Sequence, residues 1–373
     1  MNIGIDITIL RGDRITGIER TLIEIINRLN PENFNGELYI FCHSGLKQFL
    51  NEKVINNKKL NFLFSPFRSR IFTEQIWLPY ILKRKNIDLV HFTTLGPPLL
   101  YTGKFTILVH DAIPWLYKET ISKGMKYYYR PLLERAIKSK HLQILITDSC
   151  NSKKDFLELF KLKRDKVKVI PLGVGTSFYS TNPKATVLEK YGIYKNYVLS
   201  VGTLEPRKNI NGLIKAFEIF KQSTNIDLNL VIVGRKGWLE YFDIQKSIKE
   251  DIIITGFVDD EDLPHLIAQA EVFIMPSFYE GFGLPLLEAM SLGVPCISSN
   301  TSSLPEVGGE AVVYIDPYDI NEIAKKLDEL LKNKEKMKLL SELGKEQSKK
   351  FSWDKTTNQF VSTINEVVDR MGK

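Results

Sequence analysis

The sequence predicts an α/β protein with two doubly wound parallel sheets that follow one another along the chain. Short β-branched segments alternate with helix-length amphipathic segments throughout, which is typical of parallel sheets connected by helices. The chain has 373 residues, enough for two or three domains. Pro171-Leu172-Gly173-Val174 interrupts the alternation and predicts a linker. We therefore expect two Rossmann-like domains, residues 1–172 and 173–352, with ligands at strand C-termini that face a shared deep cleft.

Each domain is expected to contain six strands. In the first domain they are Ile3–Ile9, Leu38–Cys42, Leu89–Phe92, Phe105–Val109, Leu142–Thr147 and Val167–Ile170. In the second domain they are Tyr197–Val201, Leu228–Val233, Ile252–Ile254, Val272–Met275, Cys296–Ser298 and Val312–Tyr314. Thr16-Gly17-Ile18-Glu19 has the pattern of a capping box and predicts the start of the helix after the first strand.

Composition excludes several classes of protein. With 43% hydrophobic and 25% charged residues, the chain is neither collagen-like nor disordered. No apolar run is long enough to span a bilayer, and Asp6 interrupts the apolar start, so we expect no transmembrane helix and no signal peptide. Cys42, Cys150 and Cys296 are far apart in sequence, which favours a reducing cytoplasm over disulfides or a zinc site.

The positive charge lies in the first half of the chain. Residues 1–175 contain 28 Lys and Arg against 16 Asp and Glu, a net charge of +12, whereas residues 176–373 have 23 against 28, a net charge of −5. The basic half could bind an anionic membrane, phosphate-bearing ligands or nucleic acid. The alternative is that the charge only gives this half a soluble basic surface. The segments 68–70 and 126–130 mix cations with aromatic rings, which suits an anionic leaflet and a lipid-diphosphate glycan, although the tyrosines could equally be core residues.

Several nucleotide and metal motifs are absent from the sequence. It contains no P-loop, no Gly-x-Gly-x-x-Gly after the first strand and no His-Glu-x-x-His. The acidic run 259–262 fits the first turn of a helix better than a metal site. We find no helix-turn-helix, zinc or aromatic RNA-binding motif, so a basic nucleic-acid-binding protein is a weaker alternative.

The loop after the strand Val272–Met275 carries the most informative motif, Glu280-Gly-Phe-Gly-Leu-Pro-Leu-Leu-Glu288. Pro285 fits the first turn of a helix, whose free N–H groups and positive dipole end attract anions. Gly281 and Gly283 would let a ligand approach the backbone. The two glutamates are poor phosphate ligands but good acceptors for sugar hydroxyls, so a molecule with both phosphate and sugar is expected. Solvated glutamates after a strand are the alternative.

A second loop, Gly202-Thr203-Leu-Glu-Pro-Arg207-Lys208-Asn, also lies between a strand and a predicted helix. Cations at a helix N-terminus oppose the helix dipole, so an anion is expected to offset them. Arg207 can bind a diphosphate in bidentate fashion and Lys208 as a point charge. The alternative is two surface cations that reach solvent.

Together these motifs resemble the retaining GT-B glycosyltransferases of family 4. The marks are the Glu-x7-Glu pair within its Gly-Phe-Gly-Leu-Pro context, the run at 202–209 and the pair His110-Asp111. The resemblance implies a nucleoside diphosphate sugar as donor, and it implies that the terminal segment from about Trp353 to residue 373 crosses back onto the first domain. It also implies the GT-B architecture, with an acceptor-binding first domain and a nucleotide-sugar-binding second domain.

The resemblance assigns roles to matching positions. Glu288 would hold the ribose and Glu280 would lie near the transferred sugar, while Arg207 and Lys208 would neutralise the diphosphate, with His110 orienting the donor sugar. The other donor-binding positions implied are Gly17, Gly202, Thr203, Phe282, Gly283 and Leu284, with the base near Gly256, Phe257 and Val258. On the acceptor side we place Arg14, Arg20 and Asp111. The family usually has paired glycines after the first strand, and this chain has only Gly17 there.

The resemblance further implies transfer with retention, without a divalent metal or other cofactor. The form of the 202–209 loop is similar to that of bacterial mannosyltransferases making surface polysaccharide, which favours GDP-mannose. Other UDP or dTDP sugars (glucose, N-acetylglucosamine or rhamnose) stay open as donors, and a nucleotide-sugar epimerase is the alternative of another enzyme class. The expected acceptor is a glycan or polyprenyl-diphosphate-linked glycan, so we expect a cytoplasmic enzyme attached peripherally to the inner face of the membrane.

Overall fold

The computed structural model describes residues 1–10, 17–47, 60–93, 96–179, 181–235, 237 and 245–372. The chain divides into two compact units: Met1–Gly173 together with Trp353–Lys373, and Val174–Ser352. Among the described helices, none combines the length and the apolar character that crossing a membrane requires. None of the three cysteines forms a disulfide.

The first unit contains a parallel sheet of seven strands in the order β3-β2-β1-β4-β5-β6-β7. The strands are β1 Asn2–Asp6, β2 Glu37–Cys42, β3 Asn61–Phe64, β4 Leu89–Thr93, β5 Lys104–Leu108, β6 Leu142–Thr147 and β7 Val167–Val169. All six predicted strands are present. The edge strand β3 was not predicted, because its alternation is confined to four half-exposed residues. β1 stops at Asp6, three residues before the predicted end, since Asp6 accepts a hydrogen bond from the Thr8 N–H and starts a turn.

Helices cover both faces of this sheet, so β4 is buried throughout and β6 at every position except Gln143. The α-helical segments are Gly17–Arg28, Arg70–Phe72, Leu78–Arg84, Ile113–Leu116, Arg130–Ile137, Cys150–Phe160 and Trp353–Met371. Thr73–Trp77 and Met125–Tyr129 are wound as π-helix. The terminal helix contributes Phe360, Ile364 and Val368 to the same core as β1 and the helix Gly17–Arg28.

The second unit contains a parallel sheet of six strands in the order β10-β9-β8-β11-β12-β13. The strands are β8 Tyr197–Val201, β9 Asn229–Val233, β10 Ile252–Gly256, β11 Val272–Met275, β12 Cys296–Ser299 and β13 Val312–Ile315. The α-helical segments are Ala185–Lys190, Ile210–Ser223, Leu263–Ala268, Leu284–Ser291, Leu304–Gly308, Ile320–Lys332 and Lys334–Ser348. All six strands were predicted, because each contains a short apolar run, and all but the half-exposed edge strand β10 are largely buried.

Candidate functional site

Strand order explains why the two motif loops of the second unit meet. β8 pairs with β9 on one side and with β11 on the other, so the chain leaves β8 and β11 in opposite directions across the sheet. Such a reversal opens a crevice at the carboxyl ends of the two strands, where α/β proteins bind ligands. The loops at 202–209 and 276–283 begin at those two ends.

The loop after β8 holds its cations in a short turn. Pro206–Lys208 form one turn of 3-10 helix, and the α-helix Ile210–Ser223 starts after Asn209, which has a φ of 55°. The Asn209 amide donates to the carbonyl of Pro317 at 2.7 Å and fixes this left-handed corner. Arg207 and Lys208 therefore lie just before the N-terminus of the α-helix, which begins at Ile210 as predicted.

Two glycines let the backbone approach closely under Lys208. A Cβ added to Gly202, whose φ is 155°, would lie 3.0 Å from Cε of Lys208 and 3.2 Å from Nζ. A Cβ added to Gly234, just after β9, would lie 1.8 Å from the carbonyl oxygen of Gly202. A side chain at Gly234 would clash with fixed backbone, and one at Gly202 would displace the end of the Lys208 side chain, so both positions favour glycine.

The loop after β11 enters its helix as predicted. Gly283 has a φ of 105° and precedes the helix Leu284–Ser291, with Pro285 in its first turn. The N–H of Leu287 donates to the carbonyl of Gly283 and makes the first helical hydrogen bond, so earlier N–H groups have no helical partner. Ser303 Oγ lies 2.9 Å from the carbonyls of both Glu280 and Phe282 and fixes the loop.

A buried cluster of ion pairs joins the two loops. Glu280 Oε1 lies 2.7 Å from Lys208 Nζ, and its Oε2 lies 2.9 Å from Nη1 of Arg207. Nη2 of Arg207 lies 2.6 Å from Oε1 of Glu205, and its Nη1 also donates to the carbonyl of Tyr279 at 2.9 Å. Glu280 is 5% exposed and Lys208 is 8% exposed. The cations that were expected to meet a diphosphate are thus neutralised by two carboxylates, which sequence order alone did not indicate.

The cluster keeps Glu280 ionised. Burial by itself would raise the pKa of this carboxyl, but the charges of Lys208 and Arg207 outweigh burial and lower the pKa to about 2. Burial lowers the pKa of Lys208, and Glu280 opposes that change. An ionised carboxylate is an acceptor with four lone-pair sites, so Glu280 has capacity for a hydroxyl donor besides its two cations.

The other donor-side positions of the second unit are spread around these loops. Glu288 is buried about one turn inside the helix Leu284–Ser291, and Phe282 is buried, with its ring centroid 5.8 Å from that of Phe351. Thr203 and Leu284 are half-buried. At the end of β10, Gly256 has a φ of 73°, Phe257 is exposed and Val258 is buried.

In the first unit, His110 pairs with Asp148, a residue that the sequence reading missed. Nδ1 of His110 lies 2.7 Å from Oδ2 of Asp148, and both side chains are largely buried. Thr147 Oγ1 donates to the His110 carbonyl at 2.9 Å. Among the described residues, the buried Nε2 of His110 has no hydrogen-bond partner. Burial lowers the pKa of His110, but Asp148 and then Asp111 outweigh it and raise the pKa above its usual value.

The remaining described first-unit positions lie at or near helix starts. The Asp111 carboxylate accepts the N–H of Ile113 at 2.9 Å and starts the helix Ile113–Leu116. Gly17 is the first residue of the helix Gly17–Arg28, and Arg20 is half-buried in its first turn. Arg14 and the Thr16 cap lie outside the described residues.

Three functional candidates escaped the sequence reading for different reasons. Glu205 lies within the quoted motif, but nothing local shows that it binds Arg207. Asp148 follows β6 and reaches His110 only because β5 and β6 are neighbours in the sheet. Gly234 follows β9, and its close contact depends on the loop after the paired strand β8. A polar residue just after a predicted strand was the only local signal for Asp148.

Comparisons with known proteins agree with this architecture. Residues 184–347 match the family model described as Glycosyl transferases group 1, and residues 15–178 match Glycosyltransferase Family 4. The O-antigen chain mannosyltransferase B of Escherichia coli is 33% identical over 374 residues, which cover 93% of this chain and 95% of that protein.

Solved glycosyltransferases share the fold. WaaG, a glycosyltransferase involved in lipopolysaccharide biosynthesis, superposes with a TM-score of 0.72 and 16% identity over 97% of this chain and 99% of that chain. Anabaena HepE, solved with UDP and glucose, gives a TM-score of 0.70 and 18% identity over 98% of this chain and 100% of that chain. The chain belongs to the glycosyltransferases of the GT-B fold, in the family that includes the O-antigen mannosyltransferases.

Proposed function

We propose that this glycosyltransferase moves mannose from GDP-mannose to a glycan or a polyprenyl-diphosphate-linked glycan, in the synthesis of a cell-surface polysaccharide. The similarity to the O-antigen chain mannosyltransferase B supports mannose as the sugar. The observation that carries the proposal is the buried cluster in which Glu280 binds both Lys208 and Arg207, because it joins phosphate-binding cations to a sugar-binding carboxylate.

Donor binding would exchange partners within this cluster. Before binding, Arg207 and Lys208 carry two positive charges against the two negative charges of Glu205 and Glu280. A diphosphate brings further negative charge, which two desolvated cations bind strongly. The cations would turn partly from Glu280 to the diphosphate, and the carboxylate would accept a hydroxyl of the donor sugar. Glu288 would hold the ribose.

The leaving group would be stabilised without a divalent metal. Arg207 and Lys208 face the charge that develops on the diphosphate as the sugar leaves, and the N-terminus of the helix Leu284–Ser291 adds a favourable dipole. We expect full activity in the presence of a chelator. His110, held by Asp148, would direct Nε2 at the donor sugar.

We propose transfer with retention by attack on the face from which the nucleotide leaves. The bond between the sugar C1 and the diphosphate oxygen breaks, and a bond from C1 to the acceptor oxygen forms on the same face. The proton of the acceptor hydroxyl passes to the departing phosphate. Glu280 would not form a covalent intermediate, since it is committed to two cations.

A thermal-shift panel of nucleotides and nucleotide sugars tests the donor. Because a ligand of the folded state stabilises it by mass action, GDP and GDP-mannose should raise the unfolding temperature more than UDP, dTDP and their sugars. A larger shift with UDP would favour a UDP-sugar donor. The anomeric configuration of the product, measured by NMR, tests retention, and conversion of the donor without any acceptor would instead indicate an epimerase.

A lipid-linked acceptor would bring the reaction to the cytoplasmic face of a membrane. A polyprenyl diphosphate is anchored in the bilayer, so an enzyme that uses it must approach the bilayer surface. We propose peripheral attachment, and the exposed surface of the first unit supports it.

A further inference from the structure

One helical stretch of the first unit is apolar on both of its faces. Arg70–Phe72, Thr73–Trp77 and Leu78–Arg84 follow one another without a break. The inward residues Trp77, Leu78 and Ile81 pack in the core of the sheet. A surface helix ordinarily has a polar outer face, so the outer face of this stretch is the anomaly.

Four large apolar side chains line that outer face. Ile71, Phe72, Ile76 and Tyr80 are each between 52% and 59% exposed. Phe72, Ile76 and Tyr80 are spaced four residues apart, which places them on one face of a helix, and Ile71 adjoins Phe72. The row is therefore continuous along the helix.

Neighbouring segments extend this row into a patch. The ring of Phe67 lies 6.0 Å from that of Phe72. Gln75 accepts the N–H of Leu99 at 2.9 Å, which brings the exposed side chains of Leu99 and Leu100 beside the helix. We call Phe67, Ile71, Phe72, Ile76, Tyr80, Leu99 and Leu100 the apolar patch.

The second helix of this region carries further exposed aromatic and basic groups. Arg70 stacks over the ring of Tyr129 with 4.7 Å from Cζ to the ring centroid, which joins the helical stretch to the segment Met125–Tyr129. Tyr127 is 71% exposed, and Lys126 lies over its ring. An exposed ring next to a cation suits the interface between lipid headgroups and acyl chains.

The charges around the patch identify its partner. All residues from 66 to 86 and from 113 to 130 are described. Within these two ranges, Glu119 is the one exposed acidic residue. The exposed cations in the same ranges are Arg68, Lys83, Arg84, Lys118, Lys123 and Lys126. Apolar side chains ringed by cations fit the surface of an anionic bilayer, where both apolar insertion and charge contribute. A protein partner with an apolar patch would not require this excess of positive charge.

We propose that the apolar patch and its surrounding cations dock the protein on an anionic membrane. The inference deepens the proposed function, because it rests on a lipid-linked acceptor and names the surface that would bring the first unit to it. The outer-face side chains enter the headgroup region, and the cations bind lipid phosphates. The deeper residues Trp77 and Leu78 stay in the protein core.

Co-sedimentation of the full chain with vesicles tests the proposal. Wild type should bind vesicles of mixed phosphatidylglycerol and phosphatidylcholine, bind pure phosphatidylcholine more weakly, and be partly released by salt. The double variant Ile71→Glu/Ile76→Glu should bind anionic vesicles about tenfold or more weakly. The variant Lys83→Ala/Arg84→Ala should lose about fivefold in affinity for anionic vesicles per cation removed, and its binding should be less sensitive to salt.

Matched controls separate docking from folding and from donor chemistry. Leu339→Glu changes a similarly exposed apolar residue on the second unit and should bind vesicles like wild type. The patch variants should keep the wild-type unfolding temperature and its increase with GDP-mannose. If GDP-mannose binds neither wild type nor the variants, the proposed donor is wrong, but the docking surface is not affected.

Three outcomes would overturn the proposal. Wild type could fail to bind anionic vesicles at low salt, or Ile71→Glu/Ile76→Glu could bind them as wild type does. In the third outcome, wild type is a dimer in solution and the double variant is a monomer with unchanged vesicle binding, which would assign the patch to a second copy of the chain. Should the double variant unfold, Tyr80→Glu alone provides the same comparison.

Discussion

At the scale of single residues, the site depends on how buried charges are compensated. Lys208 and Glu280 are both nearly inaccessible to water and lie 2.7 Å apart. Leaving one buried charge without its partner is costly, so each residue keeps the other in place. In the proposed function, these two groups bind the diphosphate and a sugar hydroxyl of the donor.

Lys208→Ala should lower the turnover number by about 100-fold or more, since one charge-stabilising group of the leaving diphosphate is lost. Steady-state kinetics with saturating donor and acceptor measures this loss. Lys215→Ala changes an exposed lysine of the following helix and should have wild-type turnover. Equal rates for Lys208→Ala and wild type would remove Lys208 from the mechanism.

Glu280→Gln should make the protein less stable near neutral pH, and the difference from wild type should shrink in acid. The folded state lowers the pKa of Glu280 to about 2, so its ionised form contributes stability above the ordinary value of 4.5, and this contribution is lost as the pH falls towards 2. Urea unfolding from neutral pH to acid measures the difference. Glu346→Gln, at a highly exposed position, should show no such dependence. A constant difference at all pH values would contradict this account.

Asp148→Asn should lower the pKa of His110, because the carboxylate that favours the charged imidazole is removed. An NMR titration of the histidine rings measures this change directly. The control Asp165→Asn, at an exposed position, should leave the pKa of His110 unchanged. If Asp148 positions His110, the variant should also shift the pH profile of turnover. An unchanged His110 titration would show that the pair is not formed in solution.

At the scale of elements, both motif loops are placed by sheet topology. β8 and β11 are neighbours in the sheet, although 70 residues lie between the end of β8 and the start of β11. Two loops that are distant in sequence therefore begin at adjacent strand ends. The close packing of Gly202 and Gly234 adds a second constraint, because it brings the turn after β8 against the end of β9.

Gly234→Ala should destabilise the second unit by about 1–3 kcal/mol or more, since the added methyl group would clash with a backbone carbonyl that has no rotamer to change. Urea unfolding measures the loss. Gly124→Ala is the control, because its Cβ would meet nothing closer than 4.0 Å. Equal stability of Gly234→Ala and wild type would show that the loop after β8 can move away at little cost.

At the scale of the whole molecule, the chain divides its sequence unevenly between two units. The terminal helix Trp353–Met371 belongs to the first unit, although it follows the second in sequence. Its side chains complete the core formed by β1 and the helix Gly17–Arg28, and the ring of Phe360 lies 4.7 Å from that of His91. The stability of the first unit therefore depends on the last residues of the chain.

Ile364→Ala should destabilise the first unit by about 2–5 kcal/mol, because a fully buried side chain is removed from its core. Hydrogen exchange followed by mass spectrometry should show faster exchange in β1 and the helix Gly17–Arg28 than in β8 to β13. Leu339→Ala, at an exposed position, is the control. Faster exchange confined to the second unit would contradict the assignment of the terminal helix.

Sequence alone determined the strands, the two motif loops and the family resemblance. Buried strands and helix starts are encoded by local periodicity and by turn residues such as Pro285 and Gly283, so they can be predicted without knowledge of distant parts of the chain. The edge strand β3 was missed because it is short and half-exposed.

Only the tertiary structure decided which charges meet. The pairing of Arg207 with Glu280 and that of His110 with Asp148 follow from strand neighbours that are distant in sequence, whereas Glu205 pairs with Arg207 within one loop whose turn the fold defines. The apolar patch also emerged only from the fold, since an apolar residue in a helix can face either the core or the surface, and packing against the sheet selects which. Local pattern fixes the identity of each element, whereas the contacts between elements depend on long-range packing.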